Sequence, residues 1–194
     1  FIFDYCNIFL LFNLFFLLIF SFILRSGSSL IYLFSIIIFL MNFLFLLKDL
    51  FASYQVKNLK INFIFLLLVF LFFIFSIDLS NNLKLGWDAQ NYWLVKKLVF
   101  TNGGDFFDLK NTPRNDYPYL GSFVWHIYSK FSIIGHEYFG RLFYLYLFLL
   151  SIFSIASIIE TKDFEKVILI FILIFLTYKV ELFNGYQEIL NFSL

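Results

Sequence analysis

Three stretches hold the residue types that could do chemistry. Asp88 stands in GWDAQNYW, Glu188 stands in NGYQEI, and between them runs TPRNDYPYLGSFVW, which carries Arg114 and Tyr117. A carboxylate held beside a bound hydroxyl can accept its proton, so the two acids matter most if the fold brings them to one place. Other chemistries find less support. His126 and His136 are too far apart for a helical ligand pair, and no neighbouring His or Cys completes a zinc pattern. No phosphate-binding glycine loop, dinucleotide fingerprint, hydrolase elbow or haem pattern is present. Gly103-Gly104 is a turn signal, and Cys6, the only cysteine, has no partner for an intrachain disulfide.

The elements that must position these residues belong in lipid. The 194 residues are 62% hydrophobic, 25% aromatic and only 14% charged, well short of the polar surface that a soluble domain needs. The net charge of +1, spread over the chain, argues against a nucleic-acid partner. Four apolar runs are long enough to cross a hydrocarbon core of about 30 Å: Ile8 to Leu24, Ser29 to Leu47, Ile61 to Ile77 and Leu142 to Ile159. Each is predicted to be a helix, because a helix satisfies its own backbone hydrogen bonds. The third run alone sums to about −5 to −9 kcal/mol on an insertion scale. A fifth run, Val167 to about Phe183, is interrupted by Lys179 and Glu181, and Lys179 can snorkel to the interface.

The predicted fold is therefore an all-α integral membrane bundle of about five transmembrane helices in a single transmembrane domain. Phe1 in place of Met, and a stop at Leu194 soon after an apolar run, predict a fragment of a larger bundle. Lys48, Lys57 and Lys60 mark one short loop as cytoplasmic, and Lys162 and Lys166 mark another. The long segment 78–141 then faces the outside or lumen, together with the end from Asn184 onward. Both acids fall on that side, so a bundle could bring them together above the lipid. A plasma (inner) membrane location is expected. Within the long loop, AQNYWLVKKLVF reads as an interfacial helix stopped by Gly103-Gly104, and YPYLGSFVWHIYSKF as a second helix begun at Pro118. Asn13 and Asn42, inside the first two spans, are expected to bond across helices.

The order of GWDAQNYW, a Gly-Gly stop, a Tyr-Pro-x-Leu helix start, an Arg-Leu-Phe entry into the next span and NGYQE resembles the GT-C-type membrane glycosyltransferases, in particular the branch using polyprenyl-phosphate sugars. There the pattern runs Trp-Asp-x-x-x-Tyr-Trp, then Tyr-Pro-Pro-Leu, then Gly-Tyr-x-Asp. The resemblance covers roughly Gly86 to Leu194. Tyr119 replaces the second proline, Glu188 replaces the second Asp, and two helices precede a loop that in many such enzymes follows the first span.

The resemblance implies an inverting transfer of a sugar from a polyprenyl-phosphate donor to a glycan, lipid or protein acceptor. Asp88 would be the base and Glu188 its catalytic partner, with Arg114, Tyr117, Arg141, Lys96, Lys97 and Lys179 binding substrate and neutralising phosphate. A divalent metal such as Mg or Mn is a possible cofactor, which the longer Glu188 side chain puts in question. Each residue also has an ordinary reading. Asp88 could cap a helix, Glu188 could be a solvated acid, Arg141 could anchor a helix end at headgroups, and Trp87, Trp93 and Trp125 could form an aromatic belt. The alternatives to transfer are a transporter or flippase for a lipid-linked or small polar solute, and a non-catalytic subunit whose loop docks a partner. Span centres almost free of charge argue against transport.

Overall fold

The computed structural model describes residues 2–24, 28–55, 63–131, 138–159 and 162–179. Among the described residues all regular structure is helical: α1 (Ile2–Ile23), α2 (Ser29–Gln55), α3 (Phe63–Asn81), α4 (Leu94–Thr101), α5 (Leu120–Ser129), α6 (Tyr138–Ile158) and α7 (Asp163–Thr177). A π-helical turn, Ala89–Trp93, leads into α4, and a 3-10 helix, Phe106–Asn111, lies between α4 and α5. Among the described residues three stretches are long and apolar enough to cross a membrane: Cys6–Ile23, Phe63–Asn81 and Tyr138–Ile158. Ser29–Phe45 is a shorter apolar helix by the same measure, and α7 spans 15 residues.

Large apolar side chains lie open on the outside of the bundle, among them Phe15, Phe73 and, at 87% exposure, Phe175. Such a surface suits lipid, where apolar side chains need no cover from water. The interior is organised around α6, which packs against α1, α3, α5 and α7. Its apolar window is 67% buried against 22% for α3, so α6 is the axis and α3 a flank.

Several polar groups inside this apolar bundle are met by other polar groups, although Asn13 Oδ1 and Ser35 Oγ have no hydrogen-bond partner among the described residues. Asn42 Nδ2 donates to the Cys6 carbonyl at 2.8 Å, and Tyr146 donates to Asn42 Oδ1 at 2.6 Å, tying α1, α2 and α6. Asn13 Nδ2 donates to the Tyr128 hydroxyl at 2.6 Å, joining α1 to α5. The cross-helix bonds predicted for the two asparagines are thus present, and apolar surroundings make each one costly to break.

The segment begun at Pro118 forms α5 and lies inside the bundle. All eight residues of α5 from Gly121 to Tyr128 are buried, enclosed by α1, α4 and α6. Its polar groups are answered locally. Ser122 Oγ donates to the Trp93 carbonyl at 2.9 Å, and Tyr144 donates to the Gly121 carbonyl at 2.5 Å. Thr101 has one hydroxyl proton and donates it to the Lys97 carbonyl at 2.9 Å, so its oxygen accepts from His126 Nδ1 at 3.1 Å. The Tyr32 hydroxyl lies 2.9 Å from His126 Nε2, so the ring bridges α2, α4 and α5.

Glycine sets the close approach of α5 and α6. A Cβ on Gly140 would overlap Trp125 Cδ1 and stand 2.6 Å from both the Trp125 carbonyl and Ser129 Oγ. Gly140→Ala should therefore destabilise the protein by about 1–3 kcal/mol through overpacking, read as a fall in the unfolding midpoint in mixed micelles. A midpoint equal to wild type would show that the two helices are not in contact there.

Candidate functional site

Two of the three chemistry-bearing stretches are brought together above the ends of α1 and α3. The helix that starts at Trp87 carries Asp88 in its first turn and then widens into the π turn, where Leu94 N–H bonds the Ala89 carbonyl. Isolated π turns interrupt a helix and often lie at functional positions. Asp88 is partly buried with helical backbone angles (φ −63°, ψ −37°), and its side chain caps no backbone N–H. Among the described residues it has neither a hydrogen-bond nor an ion-pair partner. The helix-cap reading of Asp88 therefore finds no bond to rest on.

Downstream, Gly103 adopts a positive φ of 84°, and Gly104 N–H returns to the Val99 carbonyl at 3.0 Å, ending α4. The chain then folds over α4 through the 3-10 helix, held at its start by a reciprocal capping box between Asp105 and Asp108. Phe106 docks this segment on Phe22 of α1 and on Tyr119, with ring centroids 4.7 and 4.8 Å apart. Tyr119, standing where the resembled motif has proline, bonds Ser21 Oγ at 2.8 Å and so ties the entry of α5 to α1. Burial pushes its phenol above the ordinary value, partly offset by the Ser21 bond.

Lys96 joins the two stretches. Its side chain is fully buried, and its ammonium donates to the carbonyls of Arg114 and Tyr117, both at 2.7 Å. It also lies 5.3 Å from the Trp93 ring centroid and 5.9 Å from that of Tyr117. Burial lowers its pKa, and Asp116 acts in the opposite direction. Over this clip the turn passes through Arg114 with φ 51°, a left-handed conformation that costs energy in a residue other than glycine. The exposed Arg114 guanidinium lies 4.5 Å from the Tyr117 ring centroid and donates to its hydroxyl at 2.7 Å. That bond and the nearby Asp116 charge raise its pKa and hold it charged. Tyr117 in turn packs on Trp93 at 5.5 Å and Tyr92 at 5.8 Å.

The remaining candidate cations are dispersed. Lys97 is buried with its ammonium 5.9 Å from the Trp125 ring centroid. Arg141 is buried at the start of α6 and donates to the Leu83 carbonyl at 2.8 Å, locking α6 to the segment that follows α3. Lys179 is exposed just after α7. Trp93 and Trp125 are buried, which leaves Trp87, at 66% exposure, as the one tryptophan open to the surroundings.

Glu188 and His136 lie outside the described residues, so the expected pairing of Asp88 with Glu188 is not seen directly. The ends of the helices that lead to the two acids do meet. Tyr178, just past α7, donates to the Asp78 carboxylate in the last turns of α3 and stacks on Phe75 at 4.3 Å. Asp78 also accepts from Asn82 at 3.2 Å. This contact joins positions 100 apart in sequence, and nothing in the local pattern around Asp78 signals it. Among the described residues no group of three or more His, Cys, Asp or Glu gathers, and Asp88 alone does not make a divalent-metal site. No family model, curated protein or solved structure matches the chain.

The clip makes a specific demand on stability. Lys96→Met keeps the buried stem and removes the ammonium, leaving two carbonyls without their donor. It should cost about 2–3 kcal/mol and open the Arg114 turn to proteases in the folded protein. Unchanged unfolding and unchanged proteolysis would exclude the clip.

Proposed function

We propose that the chain is part of a polytopic membrane glycosyltransferase of the GT-C type, with about five spans here and segment 78–141 on the extracytoplasmic side. The observation that carries this reading is Asp88: a partly buried carboxylate without a partner among the described residues, beside the π turn that packs GWDAQNYW against TPRNDYPYL. Two of the motifs behind the resemblance thus share one place, and the contact of Tyr178 with Asp78 starts the chain toward the third from the same end of the bundle.

In this reading the donor keeps its polyprenyl tail in the bilayer and presents its sugar at the surface. The acceptor hydroxyl oxygen attacks the anomeric carbon, the bond from that carbon to the phosphate oxygen breaks, and Asp88 takes the hydroxyl proton. The lipid phosphate leaves with the bonding electron pair and needs a cation as its charge develops. In this scheme that cation is Lys179, which is exposed just past α7. Lys96 and Arg141 serve structural bonds in this scheme, Lys96 to the carbonyls of Arg114 and Tyr117 and Arg141 through Nη2 to the Leu83 carbonyl. No step is routed through a metal.

Asp88→Asn removes the base with almost no change in shape. In the full-length protein, transfer of a radiolabelled sugar from polyprenyl-phosphate donors should fall by about 100-fold or more, with the unfolding midpoint unchanged. Undiminished transfer rejects Asp88 as base. A protein that moves a solute across vesicles, with or without the substitution, and transfers no sugar is a transporter instead.

A further inference from the structure

We propose that Trp87 and Tyr92, edged by Arg114, form the platform that receives an acidic glycan as acceptor, one pyranose ring lying against Trp87 and the carboxylate of a residue further along the glycan meeting Arg114. The proposal rests on the glycosyltransferase reading for the word acceptor, and on the geometry alone for the binding.

The platform is a connected series of rings that ends in a cation. Trp87 meets Tyr92 edge-on, with centroids 5.7 Å apart and planes at 87°. Tyr92 meets Tyr117 at 5.8 Å and 71°, and the Arg114 guanidinium lies over Tyr117. An edge-on contact fixes the attitude of the Trp87 ring without covering both of its faces, and the ring remains 66% exposed. The apolar face of a pyranose, lined by C–H groups, is suited to such a ring, while its hydroxyls need polar partners around the rim. Gln90 and Asn91 supply them. Both are exposed, and both engage an amide N–H, Gln90 with the Leu85 carbonyl just before the helix at 2.8 Å and Asn91 with the Trp87 carbonyl at 2.8 Å. Their amide oxygens are left to accept from hydroxyl donors.

Arg114 adds the preference for an anion. Its turn, from Pro113 to Asp116, is exposed throughout, and Lys96 fixes that turn from below. Among the described residues only one of its N–H groups is engaged, by Tyr117, so others stay available for a two-point contact with a carboxylate. Holding a strained backbone in place beforehand lowers the ordering cost of binding. The exposed turn presents Arg114, Asn115 and Asp116, polar and charged side chains that favour a ligand arriving from water over a headgroup arriving through lipid.

The fluorescence of the protein itself reports on the platform, because Trp87 is the exposed tryptophan and Trp93 and Trp125 are buried. The full-length protein in phosphatidylcholine nanodiscs is titrated with tetragalacturonate or with maltotetraose while acrylamide quenching is followed. Tetragalacturonate should shield the accessible tryptophan, reducing its quenching at least about twofold, and Arg114→Gln should raise the half-saturating concentration about tenfold, the 1.4 kcal/mol expected of a lost charged contact. Trp87→Phe should abolish the quenchable component. Equal shielding by maltotetraose, or an Arg114→Gln protein that binds as wild type does, overturns the acidic-glycan assignment. Quenching of Trp87 by brominated lipid with no shielding by either sugar overturns the platform and makes Trp87 a membrane anchor. Shielding in a protein that transfers no sugar keeps the platform and removes the enzyme reading, whereas transfer without shielding does the reverse.

Discussion

An ammonium group removed from water must be surrounded by oxygen, and Lys96 obtains that oxygen from the backbone of a turn far along the chain. The penalty for leaving such a charge unsatisfied exceeds the cost of bending the turn, so the turn bends and Arg114 occupies a left-handed conformation. Everything described as a candidate site follows from this one bond set. It holds Tyr117 against Trp93 and Tyr92, sets Arg114 over Tyr117, and joins the stretch that bears Asp88 to the stretch that precedes α5.

The same rule operates deeper in the bundle with neutral groups. Asn13 and Asn42 are buried in helices whose outer faces are almost wholly apolar, and each is met by a tyrosine from another helix. Tyrosine suits this work, since its ring packs as a hydrophobe and its hydroxyl reaches across the gap between helices. Four tyrosines, at 119, 128, 144 and 146, thereby hold α5 and α6 to α1, α2 and each other. Their bonds connect the membrane-suited part of the chain to the loop part, so the candidate site is mounted on the bundle instead of hanging from it.

Hydrophobic run length made the helices legible. The described parts of the runs beginning at Ile8, Ser29, Ile61, Leu142 and Val167 fall mostly on helices, though α7 ends at Thr177 and, among the described residues, three stretches meet the criteria of length and hydropathy for crossing a membrane. The Gly103 stop and the cross-helix asparagines were legible for equally local reasons, a left-handed glycine and a polar group in an apolar run. What could not be read was which side chains face inward. Lys96 looks like a solvated cation in KK, and only the position of residues 114–117 makes it a buried one. The segment from Pro118 onward reads as a helix, and the bonds of His126 to Thr101 and Tyr32 and of Tyr128 to Asn13 that bury it are ones that periodicity does not reveal.

The departure at Tyr119 shows how such a contact can take over a local role. A second proline would stiffen the entry to α5 by removing backbone freedom. Tyr119 leaves that freedom and offsets it with a bond to Ser21, ring contacts to Phe106 and Phe22, and a place in the core cluster. The entry is then fixed by α1 and the 3-10 helix together, not by the local chain alone. Since the 3-10 helix runs directly into the turn that Lys96 clips, the tether at Tyr119 and the clip at Lys96 bracket Arg114 and Tyr117 from both sides. A turn bracketed in this way keeps its shape only while α1, α4 and α5 remain packed, which makes the geometry around Asp88 a property of the assembled bundle and not of the loop by itself.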